Sequence, residues 1–133
     1  MQGEADAKHQ ESAKVFASSL KNLRDRLSED LGLGADKLPM VFGQVVPNKR
    51  APQRFVAIKE MHAQMAAADQ DSGKPEASPY CRMIPTDVFS MKADRVHFNA
   101  LGQLALGPAL GKAMKELNAK DAPASTQAPE KKK

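Results

Sequence analysis

Apolar residues recur every three or four positions in three stretches of the chain, and this spacing predicts three amphipathic helices. We expect the helices over residues 8–31, 52–68 and 100–118. Gly32 and Gly34 follow the first and are typical of a helix end. The predicted inner face of the first helix is Phe16, Leu20, Leu23, Leu27 and Leu31. That of the second is Phe55, Ile58, Met61 or His62, and Met65.

The third helix has a clear start and a weak point. Asn99 precedes it and is a favourable N-cap residue. Pro108 lies inside it and removes a backbone hydrogen bond, so we expect a kink there. Gly107 and Gly111 are four positions apart, a spacing that allows close helix packing.

Two short apolar runs, residues 38–46 and 81–84, have the composition of strands buried on both faces of a parallel sheet. Residues 88–90 are a weaker candidate for extended structure. Helices and strands therefore alternate, which predicts an α/β domain with parallel strands and right-handed crossovers. Because two firm strands are few for such a sheet, we expect the rest to be missing or supplied by another chain.

The length and charge of the chain limit the number of domains and the classes of partner. The 133 residues suit one domain, expected over 1–118, and a Pro/Ala/Lys-rich tail over 119–133 carries +2 of the net charge of +4 (four lysines against one aspartate and one glutamate). We expect that tail to be disordered. Nucleic-acid binding is not favoured, because no aromatic residues alternate with its charges. No run reaches the ~20 apolar residues of a membrane-spanning helix.

The N-terminal residues indicate the cellular location, and the positions of the cysteine and histidines indicate whether a metal can bind. The polar, acidic start is not a secretory signal, so the chain as written is expected in the cytoplasm. A start further upstream would permit secretion or a periplasmic location. Cys81 is the single cysteine and has the setting of a buried small hydrophobe. His9 and His62 lack partners at metal-ligand spacing, so neither a metal nor another cofactor is expected.

Asp94 and His97 are the first candidates for chemistry. An aspartate three residues before a histidine in a loop can accept the imidazole Nδ1–H and leave Nε2 free to take a proton from a hydroxyl. The same spacing also occurs in a surface aspartate followed by a histidine near a helix start, and spacing alone favours that alternative.

Residues 1–6 form the second candidate block. Gly3 would permit close backbone approach to a ligand, and the Gln2 amide could donate to a developing oxyanion. Taken alone, however, this segment indicates no more than a frayed N-terminus.

Together the two blocks resemble a known family. Gln2-Gly3-Glu4-Ala5-Asp6 is similar to the Q-G-E-x-D block of sialate O-acetylesterases and acetylxylan esterase-like proteins, a branch of the SGNH hydrolase superfamily. The stretch 92–103, which contains Asp94 and His97, resembles the final D-x-x-H block of that branch. Residues 38–46 resemble a strand that lies between the two blocks. The resemblance covers residues 1 to about 118.

The resemblance implies a partial flavodoxin-like three-layer α/β/α fold and hydrolysis of O-acetyl esters on carbohydrates without a metal. It implies that His97 is the general base, Asp94 its orienting partner and Gln2 an oxyanion-hole donor, with Gly3 and Glu4 in the same block. The family's nucleophilic serine would precede Met1, so we expect the chain alone to be inactive or very weak. The alternative is a non-catalytic module that forms a homodimer or pairs with a chain supplying the missing half.

Overall fold

The computed structural model describes residues 3–34, 37–47 and 51–119. After a 3-10 turn at Asp6–Lys8, two helices follow, α1 (Gln10–Lys14) and α2 (Phe16–Asp30). The prediction of one helix over 8–31 is wrong in its continuity, because Val15 between them has a non-helical backbone. The predicted end of α2 is confirmed: Gly32 has a φ of +66°, and the Leu33 amide donates back to the Ser28 carbonyl at 2.8 Å.

Two parallel strands form the described sheet, β1 (Met40–Gly43) and β2 (Cys81–Ile84). Met40 is in register with Cys81, and Gly43 with Ile84. The strand predicted over 38–46 is confirmed but shorter, whereas the one over 81–84 has the predicted bounds. The Gln44 amide extends the ladder by one hydrogen bond, donating to the Ile84 carbonyl at 2.9 Å.

Helices cover both faces of this sheet. The connection from β1 to β2 runs through a 3-10 turn (Pro52–Arg54) and α3 (Ile58–Ala68), and α4 (Ala100–Ala119) follows β2. Phe42 and Met83 pack on a core cluster that α1 and α3 share, and α4 contacts both strands. The chain is therefore a mixed α/β protein with a parallel sheet, consistent with the partial α/β/α fold that was predicted.

The second predicted helix is confirmed in its inner face but not in its length. Its first part, residues 52–54, is a 3-10 turn, and the α-helix starts at Ile58. Met61 and Met65 are fully buried and Phe55 nearly so, as predicted. The core around them is rich in alanine and methionine, and its buried members are Ala7, Ala13, Val45, Phe55, Ala57, Met61 and Met65.

The predicted inner face of α2 is confirmed at Phe16, which packs against the core, but differs from the structure further along the helix. Leu23 is 54% exposed and Leu31 63% exposed, whereas Arg24 is completely buried. The Arg24 guanidinium donates to the Pro79 carbonyl and pairs with Asp25 at 3.0 Å. A buried arginine is tolerated only when it is paired and hydrogen-bonded in this way. The leucine periodicity thus identified an apolar face correctly but not the face that this part of the protein buries.

Three smaller predictions also differ. Residues 88–90 form a turn and not an extended segment, and Val88 is 76% exposed. Side chains added at Gly107 or Gly111 would meet no other residue, so these glycines do not mediate close packing. Helix α4 contains Pro108 and ends at Ala119, one residue beyond the predicted end, and the kink at Pro108 stays a prediction. The rest of the predicted tail lies outside the described residues.

The two edges of the sheet are not equivalent. On the outer edge of β2, the Met83 amide donates to the Asp69 carboxylate at 2.8 Å and the Cys81 carbonyl accepts from the Gln70 amide at 2.9 Å. Within the described ranges, no strand pairs with the outer edge of β1. A groove of about 260 Å³ runs beside it, lined by Phe16, Leu20, Met40, Val41, Phe42, Gly43, Met65, Leu106 and Leu110.

No helix of the described part is long and apolar enough to cross a bilayer.

Candidate active site

Asp94 and His97 lie in a tight loop between β2 and α4. Met91 and Phe98 form an antiparallel bridge at its base, and the Lys92 amide donates to the His97 carbonyl at 2.7 Å. Arg95 at the tip has a φ of +58°, a left-handed conformation that residues other than glycine adopt only a few per cent of the time. The reversal at Arg95 returns the chain so that His97 comes back to Asp94.

The Asp94 carboxylate organises this loop. Its Oδ1 accepts the backbone amides of Val96 at 2.9 Å and His97 at 3.0 Å, and its Oδ2 lies 2.9 Å from the His97 Nδ1. These contacts, the His97 amide foremost, hold the pKa of the Asp94 carboxyl well below its usual range. An ionised carboxylate in this position accepts a proton from Nδ1, and a neutral ring with that tautomer has its lone pair on Nε2.

Asn99 fixes the loop to α4. Its side-chain oxygen accepts the Gly102 amide at 2.9 Å, which confirms the predicted N-cap. Its side-chain nitrogen donates to the Ser90 hydroxyl at 2.6 Å, and its backbone amide donates to the Ser90 carbonyl at 3.1 Å. A Cβ at Gly102 would lie 2.0 Å from that same carbonyl, so only glycine fits there. Phe98, 8% exposed, packs edge-on against Phe89 with ring centroids 6.0 Å apart.

The N-terminal block lies against the loop that follows β1. Gly3 is buried, with a φ of +119°, and a Cβ there would lie 2.3 Å from the Met61 Cε and 3.4 Å from Val45. The Gly3 carbonyl accepts the Ala7 amide at 2.9 Å. Glu4 is half-buried in the turn that follows, and Gln2 lies outside the described residues. The block is therefore packed into the core from Gly3 onward and is not a frayed terminus.

Both blocks lie at the carboxyl edge of the sheet, where ligands of open α/β sheets bind. The Gly3 block contacts Val45, just after β1, and the Asp94–His97 loop follows β2. The loops after the two strands enclose a cavity of about 200 Å³ between them. The residues that line this cavity are Val46, Pro47, Asp87, Phe89, Ser90, Met91 and Arg95.

A family model described as "carbohydrate esterase, sialic acid-specific acetylesterase" matches residues 1–116. The chain belongs to this family. The match spans both blocks and all the described strands and helices up to the last turn of α4. No curated protein and no solved structure was found to match the chain.

The side chains of His97 and Asp94 are accessible to solvent. That of His97 is 70% exposed and that of Asp94 47% exposed. Among the described residues, no serine hydroxyl hydrogen-bonds to the His97 ring, and Ser90, the nearest in sequence, is held by Asn99. Asp94 and His97 therefore form an oriented pair whose side chains are largely open to solvent.

Two other reactive side chains have structural roles. The Cys81 thiol is fully buried, and burial raises its pKa, so it fits the predicted inert hydrophobe. The His62 Nε2 lies 2.8 Å from the Val45 carbonyl, which makes it a packed helix histidine that supports the loop after β1. In the ranges 3–34, 37–47 and 51–119, no three potential metal-ligating side chains cluster.

Sequence reasoning did not identify two parts of this site. Ser90 and Gly102 connect the loop to α4, because the Asn99 side chain hydrogen-bonds to both. The spacing from Asn99 to Gly102 could have indicated this, since an N-cap side chain accepts the amide three residues later. Arg95 lies between the two candidate residues and lines the cavity beside them, and no sequence signal indicated this.

Proposed function

We propose that the chain carries the acid–base half of a serine-type carbohydrate O-acetylesterase of the SGNH hydrolase superfamily, in the branch shared with acetylxylan esterase-like proteins. One observation carries the proposal. In a member of an acetylesterase family, the Asp94 carboxylate holds the His97 ring through its Nδ1 at 2.9 Å, which directs Nε2 outward as a base. This arrangement is the one that serine hydrolysis requires.

The proposed reaction follows from these positions. The His97 Nε2 takes the proton of a serine hydroxyl as the serine oxygen attacks the acetyl carbonyl. Gln2 donates to the oxyanion that forms, with Gly3 and Glu4 shaping the segment next to it. Imidazolium His97 then protonates the departing sugar oxygen, leaving an acetylated serine. Water, deprotonated by His97, releases acetate and regenerates the serine, so the cycle needs no metal or cofactor.

We assign the serine nucleophile to a polypeptide segment outside the described residues. The resemblance puts it before Gln2 in the family's order of blocks, and the exposed Nε2 side of His97 leaves room for its approach. Loss of the nucleophile from a serine triad lowers kcat by about 10⁶-fold. The 133-residue chain alone is therefore expected to be inactive or very weak, with O-acetylated carbohydrate as the substrate of the completed site.

Acetate release from 4-nitrophenyl acetate and from O-acetylated sialic acid tests the proposal. The chain alone should match its own His97→Ala variant. Addition of a polypeptide carrying the first strand and G-x-S block of a relative should restore hydrolysis, and His97→Ala should abolish it. Robust hydrolysis by the chain alone that disappears in His97→Ala would reveal a nucleophile within it and contradict the assignment of the serine.

A second candidate, a module that assembles with a partner, is favoured by the exposed apolar surface. Leu23 and Leu27 on α2 are 54% and 41% exposed, and the groove beside β1 is flanked by leucines of α2 and α4. Homodimer formation or a complementing chain would cover this surface. Light scattering at high concentration checks the homodimer, and Leu23→Gln with Leu27→Gln should shift any dimer to monomer. A monomer at all concentrations would leave only the complementing chain.

A further inference from the structure

The Asn99 side chain makes contacts in two directions along the chain. Its oxygen accepts the Gly102 amide at 2.9 Å, a contact within the first turn of α4. Its nitrogen donates to the Ser90 hydroxyl at 2.6 Å and to the Met91 carbonyl at 3.4 Å, both of which precede the Asp94–His97 loop. One side chain therefore connects the two ends of that loop.

Capping of the helix does not account for the contact with Ser90. An N-cap needs only an oxygen that accepts an amide of the first turn, which asparagine, aspartate and serine supply about equally well. The contact with Ser90, in contrast, uses the amide nitrogen of Asn99 and the full length of its side chain. The bridge from Asn99 to Ser90 is thus a second contact, separable from the cap by substitution.

The bridge closes the stem of the loop. Beyond it, Met91 and Phe98 form the antiparallel bridge, and the Lys92 amide donates to the His97 carbonyl at 2.7 Å. At the tip the Asp94 carboxylate lies 2.9 Å from the His97 Nδ1. Because these two side chains are 47% and 70% exposed, packing contributes little to their placement. Their position therefore depends on the hydrogen bonds of the stem.

We propose that Asn99 is a positioning residue for the acid–base pair of Asp94 and His97. Its bridge to Ser90 keeps the stem closed, so that Nδ1 of the imidazole stays on the carboxylate and Nε2 remains the basic nitrogen. A histidine that leaves its carboxylate loses the hydrogen bond that selects this tautomer. The proposal rests on the proposed function only for the role of the pair, and Ser90 acts in it as an anchor.

NMR of the 15N-labelled chain tests the assignment without requiring turnover. Asn99→Ser keeps a capping oxygen but is too short to reach Ser90, and Ser90→Ala keeps the cap and removes the acceptor. Both variants should lower the hydrogen-exchange protection of the Val96 and His97 amides about three- to tenfold, as the loss of one hydrogen bond does. The imidazole 15N shifts of His97 should move from those of the Nδ1–H tautomer toward those of a mixture.

Gln103→Ala is the matched control. The Gln103 side chain donates to the Phe98 carbonyl at 3.3 Å from the same turn of α4, so its removal loosens the junction without touching the bridge. It should leave the His97 tautomer unchanged and the amide protection within about twofold. Asn99→Asp should retain the wild-type values, because its carboxylate caps the helix and can accept a hydrogen bond from the Ser90 hydroxyl.

Three results would each overturn the assignment. They are an unchanged His97 tautomer in Ser90→Ala, an effect of Gln103→Ala equal to that of Asn99→Ser, and a tautomer in Asn99→Asp that matches Asn99→Ser. Ser90→Ala leaves the helix cap in place, so it decides the question even if Asn99→Ser unfolds. None of these measurements involves acetate release, so a failure of the proposed hydrolysis is distinguishable from a failure of this assignment.

Discussion

The two blocks of the candidate site are held in place by different forces. The Asp94–His97 loop is exposed and is positioned by hydrogen bonds: the Asp94 carboxylate accepts from two backbone amides, and the Asn99 side chain donates to Ser90. The Gly3 segment is buried and is positioned by packing, against Met61 and Val45. One block should therefore respond to changes of charge and hydrogen bonding, and the other to changes of volume and backbone conformation.

The largest expected effect is on catalysis by the exposed block. In the complemented enzyme, Asp94→Asn should lower kcat about 10⁴-fold because the imidazole would lose its orienting acceptor and adopt the wrong tautomer. Stopped-flow or colorimetric acetate release measures this, with far-UV circular dichroism to check the fold. Asp87→Asn is the control carboxylate, and on 4-nitrophenyl acetate it should change kcat only slightly. A loss below tenfold in Asp94→Asn would show that His97 does not depend on Asp94.

Gly102→Ala should destabilise the junction between the exposed loop and α4. The added Cβ would lie 2.0 Å from the Ser90 carbonyl, and overpacking of this kind typically costs about 1–3 kcal/mol. Urea unfolding measures it. Gly107→Ala in the same helix meets no neighbour and should instead stabilise by about 0.5–1 kcal/mol. Equal effects of the two substitutions would argue against close packing of Gly102 on the Ser90 carbonyl.

Gly3→Ala should destabilise the buried block by about 1–3 kcal/mol, because a φ of +119° is a conformation that other residues rarely adopt. The contact with Met61 adds to this, although its terminal methyl can move. Gly73→Ala is the milder comparison, since its φ of +66° lies in the left-handed region that other residues can adopt and open space surrounds it. If Gly73→Ala proves as destabilising as Gly3→Ala in urea, neither the rarer backbone conformation of Gly3 nor its contact with Met61 adds to the cost.

The smallest expected effect is acid weakening of the exposed loop. The pKa of Asp94 is lower in the folded chain than the ordinary carboxyl value of about 3.9, so its hydrogen bonds add stability above that value. This contribution is lost as the pH falls below 3.9 and through the folded pKa. Amide chemical shifts of Val96 and His97 should move in this acid range while that of Ala7 stays constant. Movement centred at pH 5 or above would contradict the hydrogen-bonded carboxylate.

The parts of the molecule that sequence reasoning predicted are those fixed by nearby residues. The run from Cys81 to Ile84 is bounded by turn residues, and Asn99 caps the helix that starts one residue later. The pairing of Asp94 with His97 likewise needs only a three-residue loop. The resemblance to a family then supplied what spacing alone could not, namely the prediction that this pair acts together with the Gln2–Glu4 block.

The predictions that were wrong depend on distant contacts. Arg24 is buried because the Pro79 carbonyl, 55 positions away in sequence, accepts from it, and no helical periodicity reports such a partner. The leucines of α2 recur at helical spacing whatever surface eventually covers them. Val88 and Phe89 have strand-like side chains but occupy a turn, because Phe89 packs against Phe98 beyond the loop.

The unequal edges of the sheet limit how this chain can associate. Asp69 and Gln70 occupy the outer edge of β2, so a new strand can join only beside β1. Two chains joined through their β1 edges would have no further edge to offer, whereas a sheet open on both sides could grow without end into fibres. Pairing of two copies through their β1 edges is therefore self-terminating, because it leaves no unpaired edge among the described strands.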